Sequence, residues 1–241
     1  MEFYHYDIFE TKGLEYIVTI VFFALLVPLW FILKNRETIK KGIQKTLSVL
    51  NPQRLSIPKG IFHSPNHTWA FLEKSGNAII GLDEFLLSVT GPVTVTPLVD
   101  KGVAVKQGDI IANIVHGKKQ LNVHSPISGT VQLTNDHHTE DASALMDDPY
   151  GDGWIFEIRP ANWIAETRQY YLADDVVSWS MKELSRMKDF LAKIRLKESI
   201  FPSGLVLQDG GELREHFLAE LSDDVWEEFQ NEFLEMKKKG E

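Results

Sequence analysis

Cysteine is absent from the chain, which excludes disulfides, thiolate metal sites and cysteine nucleophiles. Any dithiol chemistry must therefore come from an attached group. Positive charge is also scarce: 25 Lys and Arg against 34 Asp and Glu leave −9 with histidine neutral. Such a balance repels phosphate, so no nucleic-acid partner is expected. There is no repeat of solenoid length and no low-complexity tract. No Ser/His/Asp arrangement is supported by position, so no catalytic residue is assigned and the chain is not read as an enzyme. His137-His138 with Glu140 and Asp141 reads as a polar loop, because adjacent histidines point apart and no second pair stands at helical spacing; no metal ligand is assigned. Leu207–Leu213 lacks the lysine of a phosphate loop and reads as a turn and helix start.

Charge is missing altogether from one long run. Tyr16–Leu33 reads YIVTIVFFALLVPLWFIL, and a helix of that length spans about 27 Å, close to a bilayer's hydrocarbon core. Tyr16 and Trp30 stand where interfacial aromatics belong, and Pro28 is tolerated in such a helix. A buried core helix would show a polar stripe, and a signal peptide would start basic. Glu2, Asp7, Glu10 and Glu15 instead face only Lys12. The run therefore predicts an uncleaved transmembrane helix at 16–33. Lys34, Arg36, Lys40, Lys41, Lys45, Arg54 and Lys59 follow it against Glu37 alone. The positive-inside rule then leaves residues 1–15 as a short extracytoplasmic N-terminus. It gives a single-pass protein of the cytoplasmic (inner) membrane, with its globular part in the cytoplasm. Within the basic linker 34–59, Ile39, Ile43, Leu47 and Leu50 share one face of a helix over 37–50. That helix rests on an anionic membrane surface or packs as a stalk on the globular part. Asn51-Pro52 ends it.

Residues 60–161 change character. Short runs such as Ala78-Ile79-Ile80, Val93-Thr94-Val95, Ile110-Ile111, Thr130–Leu133 and Trp154–Ile158 are separated by Gly, Pro, Asn and Asp. They predict a small sandwich or barrel around Ile80, Val93, Val95, Ile111, Val131 and Ile155. From Asn162 to the end, residues 162–241, the pattern is helical. Helices are expected over 173–195, opened by Asp174 and Asp175, and over 222–236, capped by Ser222. Pro202, Gly204, Gly210 and Gly211 mark a connector. Trp179, Trp226, Phe229 and Phe233 are a large aromatic payload for so short a region, and the expectation is that they bind a partner. His116 and His124 either flank an arm on the hairpin or read as hairpin surface, with surface the favoured reading, and His67 and Trp69 read as packing at the domain's edge.

Five stretches of the β region resemble the glycine cleavage H-protein family: His67-Thr68-Trp69; Ile80-Gly81-Leu82-Asp83-Glu84-Phe85 leading to Gly91 and Val93-Thr94-Val95; Gly102–Asp109; Ser125-Pro126-Ile127-Ser128-Gly129-Thr130-Val131; and Asp148-Pro149-Tyr150-Gly151-Asp152-Gly153-Trp154. They occur in the family's order, and the anchor and C-terminal helices lie outside them. The resemblance implies a mainly β lipoyl/biotinyl-type sandwich, a flattened barrel, here with an N-terminal transmembrane helix and C-terminal α-helices. It also implies a modified lysine on an exposed hairpin, seven residues before the Ser of Ser-Pro-x-x-Gly. Counting back from Ser125 gives Lys118 as the cofactor-binding residue, with lipoate as the covalent cofactor.

A lysine at a hairpin tip suits that role, because its amine stands in solvent where a ligase reaches it. The resulting flexible arm raises the local concentration of a load at several partner sites. One departure stands out: the family reads Glu-Ser-x-Lys-Ala where this chain reads Val115-His116-Gly117-Lys118-Lys119. Met is absent on both sides of the lysine, which sets aside the biotin version of the fold. Two functions follow. One is a membrane-anchored lipoyl carrier that shuttles an aminomethyl, acyl or redox load between partner enzymes. The other is an unmodified structural or assembly subunit of a membrane redox complex.

Overall fold

The computed structural model describes residues 16–26, 50, 55, 57–139, 143–197 and 213–235. It divides into two units, Met1–Ser48 and Val49–Glu241. In the first, residues 16–26 form helix α1, every residue of which is exposed, including Ile17, Val18, Ile20, Phe22, Phe23 and Leu25. The predicted span continues through 27–33, and these residues lie outside the described ones, as do 1–15, 34–49 and the predicted connector around 202–211. Among the described residues no helix is long and apolar enough to cross a membrane. Of the predicted amphipathic helix at 37–50, Leu50 alone is described; it is buried, and its N–H donates to Leu213 O at 2.8 Å.

The second unit is built on two antiparallel sheets. The larger runs β1 (Phe62–His63), β2 (Thr68–Leu72), β3 (Ala78–Leu82), β9 (Trp154–Pro160), β8 (Gly129–Thr134), β5 (Ala104–Val105) in spatial order. The smaller runs β4 (Thr94–Pro97), β6 (Ile110–His116), β7 (Lys119–His124). All six core residues expected from the alternation of apolar and polar positions are buried. Ile111 is 1% exposed, and truncating it to Ala should cost about 2–5 kcal/mol by transfer and cavity terms. Chemical denaturation would read this; a loss below about 0.5 kcal/mol would be that of a surface residue. Gly129 of the Ser-Pro-x-x-Gly stretch pairs with Pro160 across β8 and β9. A Cβ there would collide with the Arg159 carbonyl oxygen, so only glycine lets the strands close.

Among the described residues, five helices complete this unit: α2 (Glu84–Thr90), α3 (Ser143–Asp147), α4 (Trp163–Thr167), α5 (Asp174–Lys197) and α6 (Asp223–Phe229). Helix α6 runs on into a π-turn over Gln230–Leu234, and a 3₁₀ turn over Phe217–Glu220 precedes it. The predicted 173–195 and 222–236 helices are thus present as α5 and as α6 with its π-turn.

Their aromatic payload corrects the sequence expectation. Trp179, Trp226, Phe229 and Phe233 are each 4% exposed or less. Phe229 and Phe233 stack at 4.9 Å, and both meet the Phe190 ring of α5 edge-on. Trp226, Phe229, Phe233, Phe190 and Leu218 belong to one core with Phe85, Leu86, Ile114 and Leu121 of the β part. The aromatic faces are therefore spent inside the chain. Each such ring removes 150–250 Å² of largely apolar surface from water when buried, which is ample reason for the segment to fold back.

Candidate functional site

Strands β6 and β7 form a hairpin with the register Ile114↔Leu121, Val115↔Gln120, His116↔Lys119. Two residues, Gly117 and Lys118, make the loop. Gly117 has φ 63, and Lys118 is not among the residues of positive φ. A two-residue hairpin turn with only its first central residue left-handed is the type that selects glycine there. No atom stands within 4 Å of where a Gly117 Cβ would be, so the tip is open. Buried Ile114 and Leu121 fix the hairpin's base to the core. Lys118, the predicted attachment residue, is exposed at the tip. It has no hydrogen bond or ion pair among the described residues.

Lys119, next in sequence, is placed quite differently. Its ammonium donates to Ala219 O at 3.0 Å and also to Leu221 O. It lies 5.8 Å from the Trp226 ring centroid. The Trp226 indole N–H in turn donates to Leu218 O at 2.7 Å. One residue pair back, the His116 ring stacks on Trp226 at 6.1 Å, and its Nδ1 lies 2.8 Å from Pro92 O. His124 is 6% exposed, with Nδ1 2.8 Å from Gly108 O and Nε2 3.5 Å from a Glu235 carboxylate oxygen. The expectation that His116 and His124 are plain hairpin surface is thus corrected in part: His124 is buried, while His116 is half-buried with its ring against Trp226.

That segment also closes a sheet edge. Strand β7 is the outer strand of the smaller sheet, and its Asn122 N–H donates to the Gln230 side-chain oxygen at 2.7 Å. An edge amide that would invite another strand is satisfied within the chain. Between hairpin and α6 lies a groove of about 320 Å³, bordered by Lys118, Lys119, Asp223, Trp226, Glu227 and Gln230. Chemically the arrangement offers one unengaged primary amine on a rigid support, open to acylation.

A second polar cluster lies at the turn between β1 and β2. His67 adopts φ 59 there, its N–H donating to Ser64 O at 3.3 Å. Its Nδ1 is 2.9 Å from Asp83 Oδ2, with both side chains at 2% exposure or less. The ring is sandwiched between Phe85 at 5.2 Å and Trp179 at 5.0 Å. The other carboxylate oxygen of Asp83 accepts the Leu86 N–H at 2.8 Å and so caps α2. Burial alone would lower His67, but the Asp83 charge and hydrogen bond hold it above its ordinary value. Burial likewise pushes Asp83 up, and His67 more than reverses this, so its carboxyl is held low. His63 beside them is depressed by burial. His67 thus packs inside the domain and is hydrogen-bonded to Asp83, while Trp69 is buried at 1% with its indole N–H on Leu82 O at 2.9 Å.

Of the polar stretch at 136–141, His137 is exposed and lies in a 3₁₀ turn, while residues 140–142 are outside the described ones. Among the described residues no cluster of three or more His, Asp or Glu could hold a metal. The reading of the sequence missed both the Lys119 contacts and the His67–Asp83 pair. A signal existed for the second: an Asp directly before an apolar run is an N-cap pattern.

Comparison with known proteins gives a consistent result. Residues 61–181 match the family model described as glycine cleavage H-protein. The glycine cleavage system H protein of Psychrobacter cryohalolentis is 31% identical over 120 residues, 50% of this chain and 94% of that one. That of Enterobacter sp. (strain 638) is 31% identical over 107 residues, 44% and 83% of the two chains. A probable glycine cleavage system H protein of Pyrococcus abyssi is 26% identical over 113 residues, 47% and 84%. A crystal structure of a glycine cleavage system H protein from Mycobacterium marinum is 20% identical, covers 51% of this chain and 98% of that one, and has a TM-score of 0.45.

Proposed function

The chain belongs to the glycine cleavage H-protein family, whose members are lipoyl carriers and not enzymes, and from that premise we propose that it carries a lipoyl group on Lys118. The observation that carries the reading is geometric. Lys118 is the exposed side chain of a two-residue turn, seven residues before Ser125, and its amine is unengaged. The site fits the group: the tip is open around Gly117, and a long amide-linked arm leaves it without displacing any packed residue. When bound, the group supplies a dithiol/disulfide that the cysteine-free chain lacks. The protein's part is to hold the amine at the end of a stiff hairpin and present it in turn to more than one partner enzyme.

The load is an aminomethyl, acyl or redox equivalent taken from one partner and given to another. Tethering belongs to the same reading. An uncharged run at 16–33, a wholly exposed apolar helix over its described part, and a basic flank support a single-pass anchor that keeps the carrier on the cytoplasmic face. Val115, standing where the family has an acid, favours a second reading, an unmodified assembly subunit of a membrane complex.

Intact mass of the protein purified from its own membranes separates the two. One added lipoyl group is expected, and an unmodified mass favours the assembly subunit. Protease added to intact spheroplasts should leave the carrier domain uncut; digestion without lysis would reverse the orientation.

A further inference from the structure

The tip of the hairpin carries two adjacent lysines, and local sequence alone treats them alike. The fold does not. Lys118 is exposed and unengaged, whereas Lys119 gives its ammonium to the carbonyls of Ala219 and Leu221 and rests against Trp226. These partners are about a hundred residues away along the chain and lie beyond residue 181, where the family match ends.

We infer that Lys119 and the C-terminal segment 213–235 form a specificity latch that confines acylation to Lys118. Lys119 is a positioning residue here, since it takes no load itself. An amine acts as a nucleophile only through a free lone pair. The Lys119 nitrogen is instead held by two carbonyl acceptors and lies near a ring face. To react, Lys119 must leave all three and lose its proton. Exposed Lys118 has no such contacts to leave.

The latch also shapes what an acylating enzyme meets. With Lys119 drawn onto Leu221 and Ala219, α6 becomes one wall of the groove at whose rim Lys118 stands, and exposed Asp223 and Glu227 border that groove. The enzyme's pocket must therefore admit the free lysine of the hairpin tip with α6 alongside, not a bare hairpin. The segment that the family model does not cover thus supplies the selectivity that the Lys-Lys pair lacks.

The selective role rests on Lys118 being the acceptor, but the latch can be tested without that. The full-length protein, prepared without the lipoyl group, is treated with limiting N-hydroxysulfosuccinimidyl acetate, and acetylation at each lysine is followed by peptide mass spectrometry. Two hydrogen bonds and a ring contact are expected to slow Lys119 about tenfold or more relative to Lys118. In denaturant the ratio should fall to about one, since unfolding removes every contact that distinguishes the two. A native ratio near one, or faster labelling of Lys119, overturns the inference. A second arm uses a lipoate ligase on wild type and on Lys118→Arg. Transfer to wild type and none to Lys119 of the variant is expected, and lipoyl-Lys119 in the variant overturns the latch. No transfer to wild type counts against the carrier reading alone, and the acetylation ratio still decides the latch.

Discussion

Replacing Asp83 by Ala is expected to destabilise the carrier domain by about 3–5 kcal/mol, as when one partner of a buried ion pair is removed. The same side chain does two jobs. One oxygen holds His67 Nδ1 at 2.9 Å, and the other caps α2 through the Leu86 N–H. Loss of the cap alone would cost about 1 kcal/mol. The larger part comes from leaving His67 in a buried space between Phe85 and Trp179 with no acceptor for its proton. Denaturant titration checks the figure, and a loss under about 1 kcal/mol would show that the pair contributes no more than a surface contact.

Asp83→Asn separates charge from shape, and its effect should depend on pH. The Asp83 carboxyl is held below its ordinary value of 3.8, so its contribution is present above that value and is lost as the pH falls through the folded one. His67 is held above its ordinary 6.5, so its contribution is complete below 6.5 and is lost as the pH rises through the folded value. Buried His63 is depressed, so it works the other way: below 6.5 the unfolded chain binds its proton more readily, and stability is subtracted. Glu183 raises His67 further and Arg186 opposes it, and neither changes in the variant. The Tm gap between wild type and Asp83→Asn should be widest between about pH 4 and 6.5 and narrow on both sides. A gap that stayed constant from below pH 4 to well above 6.5 would mean that His67 is neutral when folded.

The boundary between what the sequence tells and what it hides follows contact distance. Strands β3, β6, β8 and β9 were legible because their alternating residues face a core on one side, and a period of two needs only neighbours to be seen. The hairpin tip was legible because a glycine beside the turn residue is a local requirement. Helix α2 was not recognised as a helix: Glu84–Thr90 is a short, nearly continuous apolar run, which periodicity cannot assign to helix or strand. The C-terminal aromatics were visible, but their destination was not. An amphipathic face shows that something is covered, and it does not say whether the cover is another protein or the chain's own Phe85, Ile114 and Leu121. The site divides in the same way. Lys118 is marked by the family resemblance, which places the modified lysine seven residues before Ser125, whereas the difference between Lys118 and Lys119 exists only once residues 219–226 have folded back onto the hairpin.

Substituting Lys118→Arg should abolish lipoylation entirely while leaving stability within about 0.5 kcal/mol, the usual range for an exposed residue without partners. Arginine keeps the positive charge at the turn, so the local field around Asp223 and Glu227 is preserved. What it removes is a primary amine that a ligase can convert to an amide. Acylation of wild type discharges that site, so the variant also resembles the uncharged carrier least in electrostatics. Cells whose growth depends on the carrier should behave with Lys118→Arg as with a deletion, although the protein accumulates normally. Lys119→Arg is the matched control. Its guanidinium can still donate to the Ala219 and Leu221 carbonyls, so the lipoyl group should remain on Lys118 and growth should persist. If Lys118→Arg grows as wild type and native protein carries no lipoyl group at either lysine, Lys118 is an ordinary turn residue. The hairpin would then serve only to seat the C-terminal segment, as an assembly subunit requires.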